Sequence, residues 1–454
     1  IIMIIMIIQK VKGKEERKIK GEKKIKWKIG KEITIEGEER EIEKMKKEIE
    51  KKRRRAGTPP PPWESEGITP KNVKCERTQE NQCKKGTVKT EKWYNKAWEI
   101  QQEIQRDIPI NEISIAGTHN SHITYADGYG VGQHEMTELL QLVSNEGIQI
   151  SNQWVTVTDQ MNMGIRHIEL DTHYIGGQLR ICHAGGIHIK WINDIVHTLE
   201  NMFNVTIHWD TETIGCFSSK NPTFEEGVKE LKEWQEINNK TTDFLWIYID
   251  DNEDLQRWNL VGHIQKVIHD IYGEKALTPQ QKKEKWPTRW PTQRELQKEG
   301  YKVIVTTGTN FGKDNEPYLW AAKELWEETG KREKMKGYPE CQPNDKQKPF
   351  QRLFGSSLWY AWFFKDTDYI EAAFLEKAAQ CGSIFNFISL ELVTPELMES
   401  YVWAFEKGKP ENDHGCLVVN KQTEKLELVK ECTQTLPALC ITNEIISISQ
   451  QRGS

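Results

Sequence analysis

A chain of 454 residues with a net charge of -5 has room for two or three ordinary domains, or for one large α/β barrel with extensions. The mild charge gives no reason to invoke nucleic acid as a partner, and the apolar run from Ile1 to Ile8 is too short to form a transmembrane span. Nine cysteines whose spacing suits no zinc motif favour disulfides and a secretory or extracellular setting, with the cytoplasm as the alternative. Their odd number leaves at least one thiol unpaired.

Residues 1–64 read as a charged low-complexity leader. Lys, Arg and Glu dominate it, aromatic residues are almost absent, and such a composition buries too little apolar surface to offset chain entropy. The first residues lack the basic flank and small-residue cleavage site of a signal peptide, but Ile1 is not an initiator methionine, so nothing follows from that lack. Thr58-Pro-Pro-Pro-Pro-Trp63 is a stiff, non-helical spacer that ends the leader. A cysteine-bearing segment follows over 65–111, with a helical pattern from Trp93 to Ile104. From 112 to 406 strands and helices alternate. Strands are expected at Glu112–Ala116, Ile165–Leu170, Phe244–Ile249, Lys302–Thr306 and Ser383–Leu390, and helices at Trp191–Phe203, Phe224–Ile237, Leu255–Tyr272 and Pro395–Phe405. This alternation predicts a parallel sheet, and its span fits an irregular TIM-type (β/α)8 barrel better than an open doubly wound sheet. Residues 407–454 form a cysteine-bearing C-terminal extension.

Two strings carry most of the chemistry: Ile115-Ala-Gly-Thr-His-Asn-Ser121 and Gly164-Ile-Arg-His-Ile-Glu-Leu-Asp-Thr-His173. Alternate side chains of a strand share a face, so His167, Glu169 and Asp171 point one way, with the two carboxylates about 7 Å apart. Such a pair is half of a hard-cation site, or simply two acids held by buried Arg or Lys. Gly117-Thr-His-Asn120 sets His119 and the amide oxygen of Asn120 where a strand gives way to a loop, and the strand ending at Ile249 runs on into Asp250 and Asp251. In a barrel these ends meet at one mouth. Asn120, Glu169, Asp171 and Asp250 then form an all-oxygen set that suits Ca2+ better than Zn2+, with Asp251 replacing Asp250 if the register slips by one. Arg166 reads as a structural ion-pair partner, and His122, His173 and His188 as packed or solvent-facing side chains. Asp210 and Glu212 read equally as supporting groups or as caps and turns. Leu358-Trp-Tyr-Ala-Trp-Phe-Phe364 reads as core strand in preference to a lipid-facing rim.

In this order, Ser114-Ile-Ala-Gly-Thr-His-Asn-Ser121, Gly164-Ile-Arg-His-Ile-Glu-Leu-Asp171 and Arg180-Ile-Cys-His183 resemble the signature strands of the X domain of phosphatidylinositol-specific phospholipase C. The likeness runs from about Ile113 to about Phe405. Ala126-Asp-Gly-Tyr-Gly130, Trp209-Asp-Thr-Glu-Thr213 and the cysteine-bearing tail resemble the wider superfamily of PLC-like phosphodiesterases. The resemblance implies a phosphoric diester hydrolase acting on a phospholipid or glycolipid headgroup at a membrane surface, and a monomer is expected. It places the paired catalytic histidines at His119 and His183, and the calcium ligands of the metal-dependent branch at Asn120, Glu169, Asp171 and Asp250, with Mg2+ as the alternative ion. Metal-independent relatives carry basic residues where this chain has Asp171 and Asp250, which favours the calcium branch. Two histidines around a phosphate supply a base and an acid, and which is which stays open. Two other readings stand beside this one: a Mg-dependent glycerophosphodiesterase or sphingomyelinase-D-type enzyme, and a secreted binding protein that keeps the barrel without turnover.

Overall fold

Ten strands of the main sheet follow one another as β1 (Ile115–Thr118), β2 (His167–Ile175), β3 (Gln178–Ile181), β4 (Leu245–Asp250), β5 (Val303–Thr307), β6 (Leu319–Ala321), β7 (Trp326–Thr329), β8 (Phe350–Ser356), β9 (Asp368–Tyr369) and β10 (Ile384–Phe387). The computed structural model describes residues 73–79, 81–129, 151–175, 177–183, 216, 221–237, 244–250, 254–311, 317–329, 336–341, 348–356, 368–369, 372–388, 393–412 and 414–430. All of them fall in the unit from Pro60 to Ser454. The charged leader, the helix expected over Trp191–Phe203, the aromatic run at 358–364, and Asp210, Glu212, His188 and Asp251 lie outside the described residues.

Eight of these strands line up in the order β6-β5-β4-β2-β1-β10-β8-β7, each parallel to its neighbours. Their inward side chains show that the sheet curls round on itself. Trp246 of β4 packs on Phe350 of β8 with ring centroids 4.8 Å apart and on Trp326 of β7 at 5.7 Å, although several strands separate them along the sheet. Tyr248 of β4 meets Trp326 at 5.3 Å. The result is the expected irregular (β/α)8 barrel, with no ladder joining β6 to β7 among the described residues. Filled layers stack inside it, as in other parallel barrels. The lower layer holds His167, Trp246, Trp326 and Phe350, whereas Glu169, Tyr248 and Arg352 stand above them.

Period-2 alternation explains why polar residues occupy strands that otherwise read as apolar. In β10, Phe385 and Phe387 are fully buried among the outer apolar contacts, which turns Asn386 inward. Gly117 of β1 serves the same interior. A Cβ at this position would sit 2.7 Å from Cβ of His167, so only glycine lets that ring lie beneath β1.

The helices fall close to their expected places, with two corrections. Helix α1 (Lys92–Gln105) closes the strand-start end of the barrel, where Tyr94 donates to the Met163 carbonyl at 2.5 Å. Helix α2 (Val157–Asn162) begins on a Thr156 cap, and α3 (Phe224–Ile237) matches its expected bounds. The single helix expected over Leu255–Tyr272 is instead a short turn at Asp254–Arg257 and then α4 (Val261–Tyr272). Asn259 between them takes a φ of 54°, a left-handed value that no α-helix accommodates. The helix expected over Pro395–Phe405 stops early, as α5 (Pro395–Glu399). Gln101 of α1 captures the chain that follows, accepting from Trp403 and Ala404 amides at 2.9 and 3.0 Å and donating to the Tyr401 carbonyl at 3.3 Å.

Disulfides join Cys75 to Cys83, Cys182 to Cys216 and Cys341 to Cys381, and Cys416 is also disulfide-bonded. In the C-terminal extension β11 (Cys416–Val419) and β12 (Leu426–Val429) form an antiparallel hairpin. Lys425 anchors it on Glu376 at 2.5 Å and on the Trp403 carbonyl at 2.6 Å. No helix among the described residues is long and apolar enough to cross a membrane.

Gly117→Ala is expected to destabilise the barrel by about 1–3 kcal/mol through overpacking against His167. Urea unfolding followed by fluorescence checks this, and a midpoint equal to wild type would show that His167 has room to move.

Candidate active site

The site is built where β1 gives way to its loop. The main chain of His119 is held from both sides: its N–H donates to the Phe387 carbonyl at 3.0 Å and its carbonyl accepts from Gln153 Nε2 at 2.8 Å. Asn120 then turns the chain with a φ of 45°, a conformation asparagine tolerates better than most residues. Ser121 ties the loop to β2. Its N–H donates to the Glu169 carbonyl at 2.9 Å, and its Oγ accepts from the Glu169 N–H, also at 2.9 Å. These bonds bring His119 over Glu169.

Glu169 is the hub. One carboxylate oxygen, Oε1, meets His119 Nδ1 at 2.5 Å; the other, Oε2, accepts from Arg352 Nη2 and from Asn386 Nδ2, the latter at 3.1 Å. Both Glu169 and Arg352 are 1% exposed, which makes this a buried ion pair. The Arg352 guanidinium also lies over the rings of Phe354, Tyr248 and Trp326 at 4.5, 4.7 and 5.2 Å. Aromatic faces and a carboxylate together offset the cost of burying that cation.

Burial pushes the Glu169 carboxyl up, but the charges of His119 and Arg352 outweigh it and hold the group below the ordinary carboxylate range. Burial pushes His119 down, and here the Glu169 charge and hydrogen bond, helped by Asp250, win over Arg352 and raise it above its ordinary value. His167, one layer below, has no acid bonded to it among the described residues. Burial, with Arg352 adding to it, drops its value to about 3, so it is a neutral core ring.

Asp171 and Asp250 face one another in the β2–β4 register. Asp171 Oδ1 lies 2.9 Å from His173 Nε2, so His173, expected to be merely packed or solvent-facing, sits against a site acid. His183 follows Cys182, whose N–H donates to the Asp171 carbonyl at 3.0 Å, and its ring is half-buried at that end of β3. His119 and Glu169 are thus in contact, and Asp250 is near enough to act on His119 by charge. Asp171 lies beside Asp250 in the ladder, the Asn120 amide donates to Asn152 Oδ1 at 3.4 Å, and His183 is reached through the main chain. Arg166 bonds the carbonyls of Met161 and Ile165 and lies over Trp234, a structural role.

Arg352, Asn386 and Gln153 were not visible as site residues. A polar residue alternating with aromatic ones in Phe350-Gln-Arg-Leu-Phe354 and Ile384-Phe-Asn-Phe387 is the signal that marks the first two. Nothing local marks Gln153.

The fold and site define a parallel α/β barrel with a histidine–carboxylate pair at the C-terminal ends of its strands. Residues 111–212 match the family model of the PI-PLC X domain, described as PI-PLC X 1, so this stretch is X-domain-like. Solved structures similar to the chain include two mutant forms of phosphatidylinositol-specific phospholipase C from Staphylococcus aureus. One, altered at a single position, is 9% identical over 67% of this chain and 97% of its own, with a TM-score of 0.35. The other, a double mutant, is 10% identical over 68% of this chain and 98% of its own, with a TM-score of 0.36. No curated protein matches the chain.

The coupled pair sets a pH window. Raised His119 contributes stability below the ordinary histidine value of 6.5 and loses it as pH rises through the folded value; lowered Glu169 contributes above its ordinary 4.5 and loses it as pH falls through the folded value. The stability difference between wild type and Glu169→Gln is therefore expected to peak between those two values. An NMR titration of the His119 ring should show a lower pKa in Glu169→Gln, and an unchanged one would break the link. Arg352→Met leaves Glu169 buried with a charge partner gone, and chemical denaturation is expected to show a loss of about 3–5 kcal/mol.

Proposed function

We propose that the protein is a phosphoric diester hydrolase of the phospholipase C kind, cleaving a phospholipid or glycolipid headgroup at a membrane surface. The His119–Glu169 pair carries this reading, because it lies in the stretch that matches the X-domain model and at the barrel end where substrates of this fold bind. Attack by a neighbouring hydroxyl on phosphorus needs one group to take the hydroxyl proton and another to protonate the departing alkoxide. Glu169 engages Nδ1 of His119, which leaves Nε2 as the proton-accepting atom of the neutral ring. Glu169 also raises the affinity of that ring for the proton. His119 is then the base and His183 the acid. Arg352 acts through Glu169 and is a positioning residue.

A divalent cation, when bound, would stabilise charge on the phosphoryl oxygens. Asn120 Oδ1, buried and without a hydrogen-bond partner among the described residues, and the Asp250 carboxylate are donors of the right type for it. Glu169 is not, since protein donors occupy both its oxygens, and Asp171 lies against His173. Among the described residues no three His, Cys, Asp or Glu side chains gather as a metal-holding group. The set Asn120, Glu169, Asp171 and Asp250 therefore does not fit Ca2+ or Mg2+ as arranged, and no step is routed through one. The disulfides suit an oxidising compartment, which supports a secretory or extracellular setting.

His119→Ala and His183→Ala are each expected to lower kcat/KM on phosphatidylinositol vesicles by about 10²–10⁴-fold with the fold intact by circular dichroism. Release of inositol phosphate and diacylglycerol is the readout; wild-type turnover in either variant would remove that histidine from the mechanism. EDTA is expected to leave activity unchanged. A loss restored by Ca2+ would mean that an ion displaces Arg352 from Glu169.

A further inference from the structure

A cavity of about 750 Å³ is lined by none of the barrel-mouth residues His119, Glu169, Asp171 or Asp250. It lies between the loop that follows β1, the β3 hairpin and the start of α3. Three buried polar atoms on its wall lack hydrogen-bond partners among the described residues, Arg180 Nε being one of them. His122 Nε2 is a second, on a side chain 4% exposed. The Tyr129 hydroxyl is the third; Asn221 is close enough to influence it, but no contact meets hydrogen-bond geometry. Burial keeps His122 in its neutral form, with one nitrogen able to donate and one to accept.

The charged side chains around the cavity are bonded in part to protein neighbours. Arg180 donates to the Asn221 carbonyl at 2.5 Å and to Gln178. Glu226 accepts from the Thr223 N–H at 2.7 Å and from its hydroxyl at 2.9 Å. Glu230 pairs with Lys85 at 2.7 Å and accepts from the Thr158 hydroxyl at 2.9 Å. Burial lifts the Asp127 carboxyl to about 6, so near neutral pH it moves between acceptor and donor. An anion such as phosphate would meet more carboxylates than cations here. An acyl chain would meet a wall that is mostly polar. What the wall offers is a set of donors and acceptors at close spacing, with a tyrosine ring among them.

We propose that this cavity binds a neutral polyhydroxylated ring, a monosaccharide or cyclic polyol, taken free from solution or as the headgroup of a glycolipid. Hydroxyl groups both donate and accept, which is what the unpartnered atoms of His122, Tyr129 and Arg180 need. The volume lies in the range of small-molecule sites. Gly227 on α3 leaves the room: a Cβ there would come within 3.5 Å of His122 Nε2 and would strike Ile181. This site does not depend on the phosphodiesterase reading, since binding is measured without turnover.

The test uses the full chain. Mannose and myo-inositol are titrated by calorimetry and ligand-observed NMR, and phosphatidylcholine vesicles with and without a galactosyl diacylglycerol are compared by flotation. Gln178→Trp fills the cavity from its exposed hairpin side, and Tyr129→Phe removes a single hydroxyl. Expected is saturable binding of a free ring, or selective binding of the galactolipid vesicles, weakened about tenfold by Gln178→Trp and less by Tyr129→Phe, and unchanged in His119→Ala. The arm that responds identifies the source of the ring. No saturable binding in either arm would overturn the proposal, as would binding that survives Gln178→Trp but disappears in His119→Ala.

Discussion

The buried pair of Glu169 and Arg352 is the constraint around which the upper barrel is organised. A carboxylate and a guanidinium removed from water each cost several kcal/mol unless their hydrogen-bonding positions are filled. The barrel bonds the acid with His119 and Asn386 and sets three aromatic faces against the cation. Each of these partners comes from a different strand or loop, so the pair also fixes β1, β2, β4, β7, β8 and β10 relative to one another. A strand pairing shifted by one residue would turn one of the two charges outward and leave the other buried alone.

The same pair makes the chemistry at the mouth. Because Arg352 and Asn386 hold one oxygen of Glu169, the other is presented to His119 at a set angle. The contact shifts each group toward its ionised form, so the histidine is anchored by electrostatics as well as by shape. His167, on the same strand as Glu169 and facing the same interior, has no such partner among the described residues and is neutral. Two histidines of one barrel are thereby given opposite electrostatic fates by the presence or absence of a single carboxylate contact.

Much of the fold could be read along the chain, because burial on both faces of a parallel strand leaves continuous apolar runs. Phe244-Leu-Trp-Ile-Tyr-Ile249 and Lys302-Val-Ile-Val-Thr306 lie on observed strands displaced by one residue, whereas the strand expected over Ile165–Leu170 starts two residues later and runs on to Ile175. Leu319–Ala321, Trp326–Thr329 and Phe350–Ser356 carry no strand pattern of their own. They are short, or carry Glu, Gln and Arg among their apolar residues, and pairing with neighbours far along the chain decides them. The helix break at Asn259 was equally hidden, because a left-handed residue costs asparagine little and leaves no compositional trace.

By itself the sequence determined the parallel α/β class, the inward face shared by His167, Glu169 and Asp171, and the position of His119 at a strand end, since these follow from local periodicity. Tertiary structure alone decided what Glu169 is bonded to. An isolated pair of strand acids is compatible with a bound cation or with a buried arginine, as the alternation of β2 already implied. The choice was made by Arg352, brought from 183 positions away by the β1–β10–β8 pairing. No local pattern around Glu169 records so distant a partner, because the barrel's closure, and not the chain's neighbourhood, sets which charges share its interior.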